Sequence, residues 1–314
     1  MEYDKNPREA WGRALLALGQ RNPNVVALEA DLGKSTRSIL FREKFPERHF
    51  EMGIAEQNMT STAAGFALAG KMPFVHSFAV FASGRAYDQL RNSICIPNLN
   101  VRICGGSSGL SDFGDGKTHQ AVEDLAIMRA LPNMTVLCPV DGIETTRMVE
   151  ALETHAGPAY VRVNRNDLPF LYPREEPYRI GKITVLRDGR DAAILACGVM
   201  VSKALEASER LQAAGISVRV LNVSTIKPLA REALLDHVQG VKAIVTAEEH
   251  SRIGGLGSAV LEALRRDPHA PVEMVAIPDS FGLSAADYEG LLDHFGLNAA
   301  AIEAAVKALL RQAG

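Results

Sequence analysis

The chain has 314 residues, of which 47% are apolar and 23% charged, and a net charge of −3. This is the profile of a soluble globular protein with room for two domains. It argues against a nucleic-acid or anionic-membrane partner, and no apolar run approaches the length of a membrane-crossing helix. Four cysteines, Cys95, Cys104, Cys138 and Cys197, make no Cys-x-x-Cys pair. The last three lie in apolar, strand-like runs and read as small hydrophobes. The start, Met1 to Lys5, is polar and of mixed charge, without a signal-peptide pattern. A reducing, cytoplasmic setting is therefore expected.

Residues 7–20 have helical spacing, with Trp11, Leu15, Leu16 and Leu18 among the apolar positions. Val25 to Leu28 is a continuous apolar run, as in a buried parallel strand, and ends in the polar turn Glu29 to Thr36. A strand ends at His49-Phe50-Glu51. After Gly53 a long helix runs from near Glu56 to about Gly70. Its residues are small and apolar, which predicts burial on nearly every face. Pro73 to His76 is a strand, and Ser83 to Ile94 is a helix with Tyr87, Leu90 and Ile94 at core spacing. Val101 to Cys104 is a strand leading to the glycine-rich Gly105 to Gly109. The helices Ala121 to Ala130 and Ile143 to Glu153 alternate with the strands Thr135 to Cys138 and Tyr160 to Val163.

Such alternation predicts a parallel sheet covered on both faces. Residues 166–190 are rich in proline and charge and read as a linker. A second α/β block follows, with strands at Ala192 to Ala196, Val218 to Leu221, Ala243 to Thr246 and Val272 to Ala276. Its helices are Ser202 to Ala214, Arg231 to Val238, Leu256 to Arg265 and Asn298 to Arg311. The fold class is α/β with two doubly wound domains, 1–165 and 191–314.

Three stretches carry candidate chemistry. Glu56 opens the apolar helix. An acid there also suits the helix dipole without any further role. At the mouth of a buried helix, however, it is desolvated and fit to hold or share a proton. Phe78 and Phe81 follow a strand, where α/β folds bind ligands, and their faces suit a flat heteroaromatic ring as well as they suit a core. Gly114 to Gln120 is a polar loop whose His119 has a proton mobile near neutral pH. Arg162 and Arg165 flank Asn164 and read either as solvated or as forks for phosphate oxygens. The turn from Ala247 to Gly257 lacks the Gly-x-Gly-x-x-Gly order of a dinucleotide site, and its His250 is given no catalytic role.

In this order, Gly53-Ile54-Ala55-Glu56, Phe78-Ala79-Val80-Phe81 and Asp115-Gly116-Lys117-Thr118-His119-Gln120 resemble the pyrimidine-binding half of thiamine diphosphate enzymes of the transketolase group. The resemblance covers about residues 8 to 290. It implies a parallel-sheet pyrimidine-binding domain followed by a transketolase C-terminal-like α/β domain. It also implies that Glu56 bonds the aminopyrimidine ring in its imino form and that Phe78 and Phe81 pack on it. Asp115 and His119 would then face the sugar hydroxyls, with Glu56 and His119 catalytic. Arg8, Ser35 and Arg165 match contacts to sugar phosphate.

Two positions depart from the pattern. Gly84 stands where a third aromatic is common, and Ser107 stands where a histidine often binds phosphate. Gly114-Asp115-Gly116 is not followed by an Asn-Asn pair, so no metal ligand is assigned to this chain.

The implied protein is the C-terminal, small subunit of a split transketolase. It would move a two-carbon ketol unit from a ketose (phosphate) to an aldose (phosphate). Thiamine diphosphate would be bound with Mg2+ supplied from an N-terminal diphosphate-binding subunit, in an α2β2 assembly. That partner is expected because the chain starts almost directly at the pyrimidine-binding domain. Rival readings are a 1-deoxyxylulose-5-phosphate-synthase-like subunit, which Arg85-Ala86-Tyr87-Asp88-Gln89 resembles, a 2-oxo-acid dehydrogenase beta-type subunit, and a scaffold without catalysis.

Overall fold

The structure, a computed structural model, describes residues 3–313. The first block supplies the strands β1 (Val25–Glu29), β2 (His49–Glu51), β3 (Met72–Phe78), β4 (Arg102–Gly106), β5 (Thr135–Leu137) and β6 (Ala159–Arg162). The second supplies β7 (Thr184–Arg187), β8 (Ala192–Ala196), β9 (Val218–Asn222), β10 (Thr225–Lys227), β11 (Ala243–Ser251) and β12 (Val272–Ile277). Two sheets result, in the orders β10-β5-β6-β4-β3-β1-β2 and β12-β11-β8-β9-β7. Pairing is parallel except where β10 meets β5 and β7 meets β9. Strands such as β1 and β8 are buried at every position, because helices cover both faces of a parallel sheet.

The order of the first sheet fixes where a ligand can bind. The chain runs from β1 outward to β2, then returns to the other side of β1 as β3. This reversal is a topological switch point, which opens a crevice beyond the carboxyl ends of the strands. The ends of β1, β2, β3, β4 and β6 all deliver candidate site residues to that edge.

Several elements differ from expectation. Residues 166–190 contain the edge strand β7, and Leu168, Tyr172, Tyr178 and Ile183 within that stretch are buried. The strand β10 leaves the second block and closes the first sheet. Instead of one helix over 83–94 there are two short ones, Ala79–Gly84 and Tyr87–Gln89, and a π-helical stretch, Leu90–Cys95. Leu90 and Ile94 are buried, while Tyr87 is 36% exposed. The helix after the segment Gly114 to Gln120 begins at Asp124, because Ala121 bridges to Gly109 as extended chain.

The Glu56 helix (Glu56–Leu68) is buried on one side only, by Met59, Thr60, Ala63 and Ala64. Gln57, Asn58, Ser61 and Gly65 face outward, and both Leu68 at the helix end and Ile54 ahead of its start are exposed. Alanine and glycine permit burial but do not enforce it.

The blocks meet through buried polar contacts. Arg162 is not a solvated surface charge. Its Nε donates to both Asp124 oxygens at 3.1 and 3.0 Å, and its Nη2 donates to the carbonyls of Ala121 and Glu249. Glu249 accepts from Leu110 N and from the Tyr288 hydroxyl, both at 2.8 Å. Glu144 accepts from Asn222 at 3.0 Å and from Ser224 at 2.6 Å. His250 lies on β11, fully buried, and burial pulls its imidazole down to about 4, so it stays neutral.

Candidate active site

Glu56 is the first residue of its helix and is 4% exposed. It is buried as expected, but with a counter-charge the sequence reading did not assign. Ser77 Oγ, near the end of β3, donates to Oε1 at 3.2 Å, and Arg85 Nη1 donates to Oε1 and Oε2 at 3.2 and 3.4 Å.

Phe78 is the last residue of β3, and Phe81 lies one turn into the helix that follows. Their rings stack at 6.0 Å with 17° between planes. His119 stands edge-on to both, at 6.1 Å from Phe78 and 5.4 Å from Phe81. Its Nδ1 is 2.9 Å from Thr118 Oγ1. A buried acid, two aromatic faces and a histidine therefore share one corner of the switch-point edge.

A second group lies at the start of the first helix (Pro7–Arg21) and at the ends of β1 and β6. Arg8 Nη1 donates to the Ser35 carbonyl at 3.5 Å, and its buried Nε has no partner. Burial, and after it the nearby Arg165 charge, pull the Arg8 guanidinium down from its ordinary value. Arg165 is paired with Asp112. Arg8, Ser35 and Arg165 thus converge as a cationic corner in which Asp112 supplies part of the compensation.

One segment, Asp112 to Gln120, spans both groups, with Asp112 at the arginines and His119 at the aromatic pair. Gly116 makes its tight turn at φ +76, against Ser284 of the second block, where a side chain would not fit. Asp115 is exposed, and its side chain caps nothing. Sequence reading gave no role to Ser77, Arg85, Asp112 or Gln120. Only the closeness of Ser77 and Arg85 to the phenylalanine pair pointed toward them.

An acceptor carboxylate beside stacked aromatic faces, at the carboxyl edge of a doubly wound sheet, defines a site for a flat, polar-edged ring. The chain belongs to the transketolase family: residues 5–170 match the transketolase pyrimidine-binding domain and residues 181–302 the transketolase C-terminal domain. A solved structure described as a split-gene transketolase, inactive beta4 tetramer, is 46% identical to it with a TM-score of 0.88, covering 97% of this chain and 98% of that one. The 6-deoxy-6-sulfo-D-fructose transketolase subunit SqwH of Clostridium sp. is 40% identical over 293 residues, 93% of this chain and 90% of that protein. Transketolase of Homo sapiens is 36% identical over 310 residues, which is 98% of this chain but 49% of the human one.

Membership implies dependence on thiamine diphosphate. Glu56, Phe78 and Phe81 suit the aminopyrimidine end of that cofactor, which needs an acid partner and a flat apolar seat. Among the described residues no three His, Cys, Asp or Glu side chains are grouped to hold a metal ion.

Proposed function

We propose that this chain is the pyrimidine-binding subunit of a two-chain transketolase, active in moving a two-carbon ketol unit between sugars when joined to a diphosphate-binding subunit. The observation that carries the reading is the meeting of Glu56, Phe78, Phe81 and His119 at one corner of the sheet edge. A scaffold has no use for that set, and the Asp-Gly-x-Thr-His-Gln loop speaks against a 2-oxo-acid dehydrogenase beta-type subunit. The solved relative's description as an inactive beta4 tetramer supports the need for a partner, in an α2β2-type assembly. That partner would bring the ligands for Mg2+. Four buried, unpaired cysteines fit a reducing cytoplasm, and no described helix is long and apolar enough to cross a membrane.

Thiamine diphosphate, when bound, supplies the stabilised carbanion that the carbon–carbon chemistry needs. The chain supplies position and proton control. Glu56, held by Ser77 and Arg85, meets the edge of the pyrimidine ring as a carboxylate that accepts and returns a proton there. Phe78 and Phe81 pack on the ring and exclude solvent. His119 moves a proton at a sugar hydroxyl, and Asp115 orients a neighbouring hydroxyl. Arg8, Arg165 and Ser35 hold the anionic end of a sugar phosphate or a like-charged sugar.

The test is an assay of the purified chain with its diphosphate-binding partner, thiamine diphosphate, Mg2+ and a panel of ketose donors. Ketol transfer is expected only with both chains present. Glu56→Gln should lower turnover by at least about a hundredfold, the range for lost acid–base catalysis. Near-full activity of that variant at saturating cofactor would make Glu56 a helix-end acid and remove the reading.

A further inference from the structure

The Arg85 side chain is placed against both the acid and the aromatic platform. It directly follows the helix Ala79–Gly84 that carries Phe81, and its backbone N–H closes that helix on the Phe81 carbonyl at 3.1 Å. Its guanidinium carbon stands 3.9 Å from the centroid of the Phe81 ring. From there Nη1 reaches both Glu56 oxygens. Glu56 is 4% exposed and Arg85 49%, so the arginine covers the acid from the solvent side. Ser77 Oγ reaches the same carboxylate from the strand side.

A carboxylate two methylenes from its backbone can rotate, and Ser77 alone fixes one oxygen. A guanidinium that lies over the Phe81 ring while its Nη1 bridges both oxygens limits where the carboxylate can sit relative to that ring. Lysine offers a point charge without the planar face that lies over Phe81. Catalytic groups lose efficiency when displaced by about 1 Å, so such a tie has consequences for rate.

We propose that Arg85 is a positioning residue of this site, setting the Glu56 carboxylate and the Phe81 face as one unit for the ring they receive. The proposal rests on the reading of Glu56 given above. Arg85 acts through Glu56, so its effect disappears when Glu56 no longer has a carboxylate to orient.

The experiment is a double-mutant cycle in the assembled two-chain enzyme, with Arg85→Ala, Arg85→Lys, Glu56→Gln and the doubles. Two quantities are read: kcat, and the Kd of thiamine diphosphate with Mg2+ by titration calorimetry. Arg85→Ala is expected to lower kcat by roughly ten- to a hundredfold and to weaken cofactor binding about tenfold, as for a loosened reacting group. Arg85→Lys should recover less than about a third of the loss, because the charge returns without the planar group that lies over Phe81. In the Glu56→Gln background Arg85→Ala should change Kd by less than about threefold, the non-additivity expected of residues that act together. The same factor in both backgrounds would overturn the proposal by making Arg85 an independent structural residue. So would tighter cofactor binding by Arg85→Ala, which would make the guanidinium a competitor for Glu56. A fully active Glu56→Gln would instead overturn the reading of Glu56 itself, and is told apart because it needs no Arg85 variant.

Discussion

Gln120 Nε2 donates to the Leu283 carbonyl at 2.9 Å, tying the segment that carries His119 to the second block of the chain. The same amide donates to the Asp112 carbonyl at 3.1 Å. Ala285 N donates to the Phe113 carbonyl at 2.9 Å, so the strap from Leu283 to Ala285 backs the loop at two points. The second block therefore positions the loop that carries His119 as well as completing the first sheet.

Gln120→Leu should expose the value of that tie. It leaves two carbonyls, one buried with Asp112, without their donor, at about 1–3 kcal/mol each where water cannot replace it. Urea unfolding of the full chain should register the loss. In the assembled enzyme the KM for the ketose should rise severalfold, with the Kd for thiamine diphosphate little changed. A variant that weakens cofactor binding and leaves the sugar KM alone would place the tie on the wrong side of the site.

His119→Ala separates the two groups of residues in the same way. His119 meets the aromatic rings edge-on, while its Nδ1 lies toward Thr118 Oγ1. Turnover should fall, or the sugar KM rise, with cofactor affinity within about threefold of the parent; loss of a general acid–base group is worth about 10²–10⁴ in rate. Calorimetry showing chiefly lost cofactor binding would contradict the assignment to the sugar.

A pH dependence follows from Glu29, which ends β1 beneath the loop bearing Ser35. It is fully buried and accepts from Thr36 Oγ1 at 2.6 Å, Ser38 Oγ at 2.5 Å, Ala30 N at 3.1 Å and Leu32 N at 3.3 Å. Burial pushes its carboxyl from 4.5 up to about 7, against the pull of those donors. Between these values the folded chain holds a proton that the unfolded chain has released. The stabilising contribution is thus complete below pH 4.5 and is lost as pH rises to about 7, by up to about 3 kcal/mol. Glu29→Gln cannot titrate, and the Thr36 and Ser38 hydroxyls can turn to meet its amide. Urea unfolding at pH 5, 6 and 7 should give the variant a flatter stability profile than the parent. Glu144, Glu248 and Glu249 also rise to about 7 and remain in both proteins, so the difference reports Glu29. Parallel profiles would rule the raised carboxyl out.

Much of the fold is legible because parallel strands covered on both faces leave unbroken apolar runs, as in Val25 to Leu28 and Ala192 to Ala196. The strand β10 leaves no such trace. It is three residues long, and its pairing of Thr225 with Leu137 is set by the docking of the two blocks rather than by local period. The prolines around residues 169–177 hide β7 in the same way. At the site, Glu56, Phe78 and Phe81 are legible because each sits at an element end with a neighbour pattern. Their partners are not, because Arg85 meets Glu56 only after 29 residues of chain have folded back. Arg162 was open to reading as a solvated charge for that reason, since Asp124, its partner, is 38 residues away.

The cationic corner makes a prediction about substrate charge. Arg8 Nε is buried without a partner, Arg8 lies close enough to Arg165 for the two charges to repel, and Asp112 is bound to Arg165. A phosphate or sulfonate entering between them would supply the missing acceptor and relieve the repulsion. A neutral sugar would do neither. Arg8→Gln keeps a polar head of similar reach but removes the charge, so it should act only on anionic substrates. For a ketose phosphate, KM in the assembled enzyme should rise by about ten- to a hundredfold, as expected for a lost charge-assisted contact of about 1.5–3 kcal/mol. For the corresponding unphosphorylated ketose, kcat/KM should stay within about twofold, and the selectivity of the parent enzyme for the anion should fall as salt is raised. Arg165→Lys should be milder, because its charge remains beside Asp112. Equal losses on charged and neutral donors would mean that Arg8 supports the fold of the Ser35 loop rather than the substrate. A sugar sulfonate is the informative third donor: if it follows the phosphate in every variant, the corner reads anionic charge and not the phosphate group itself.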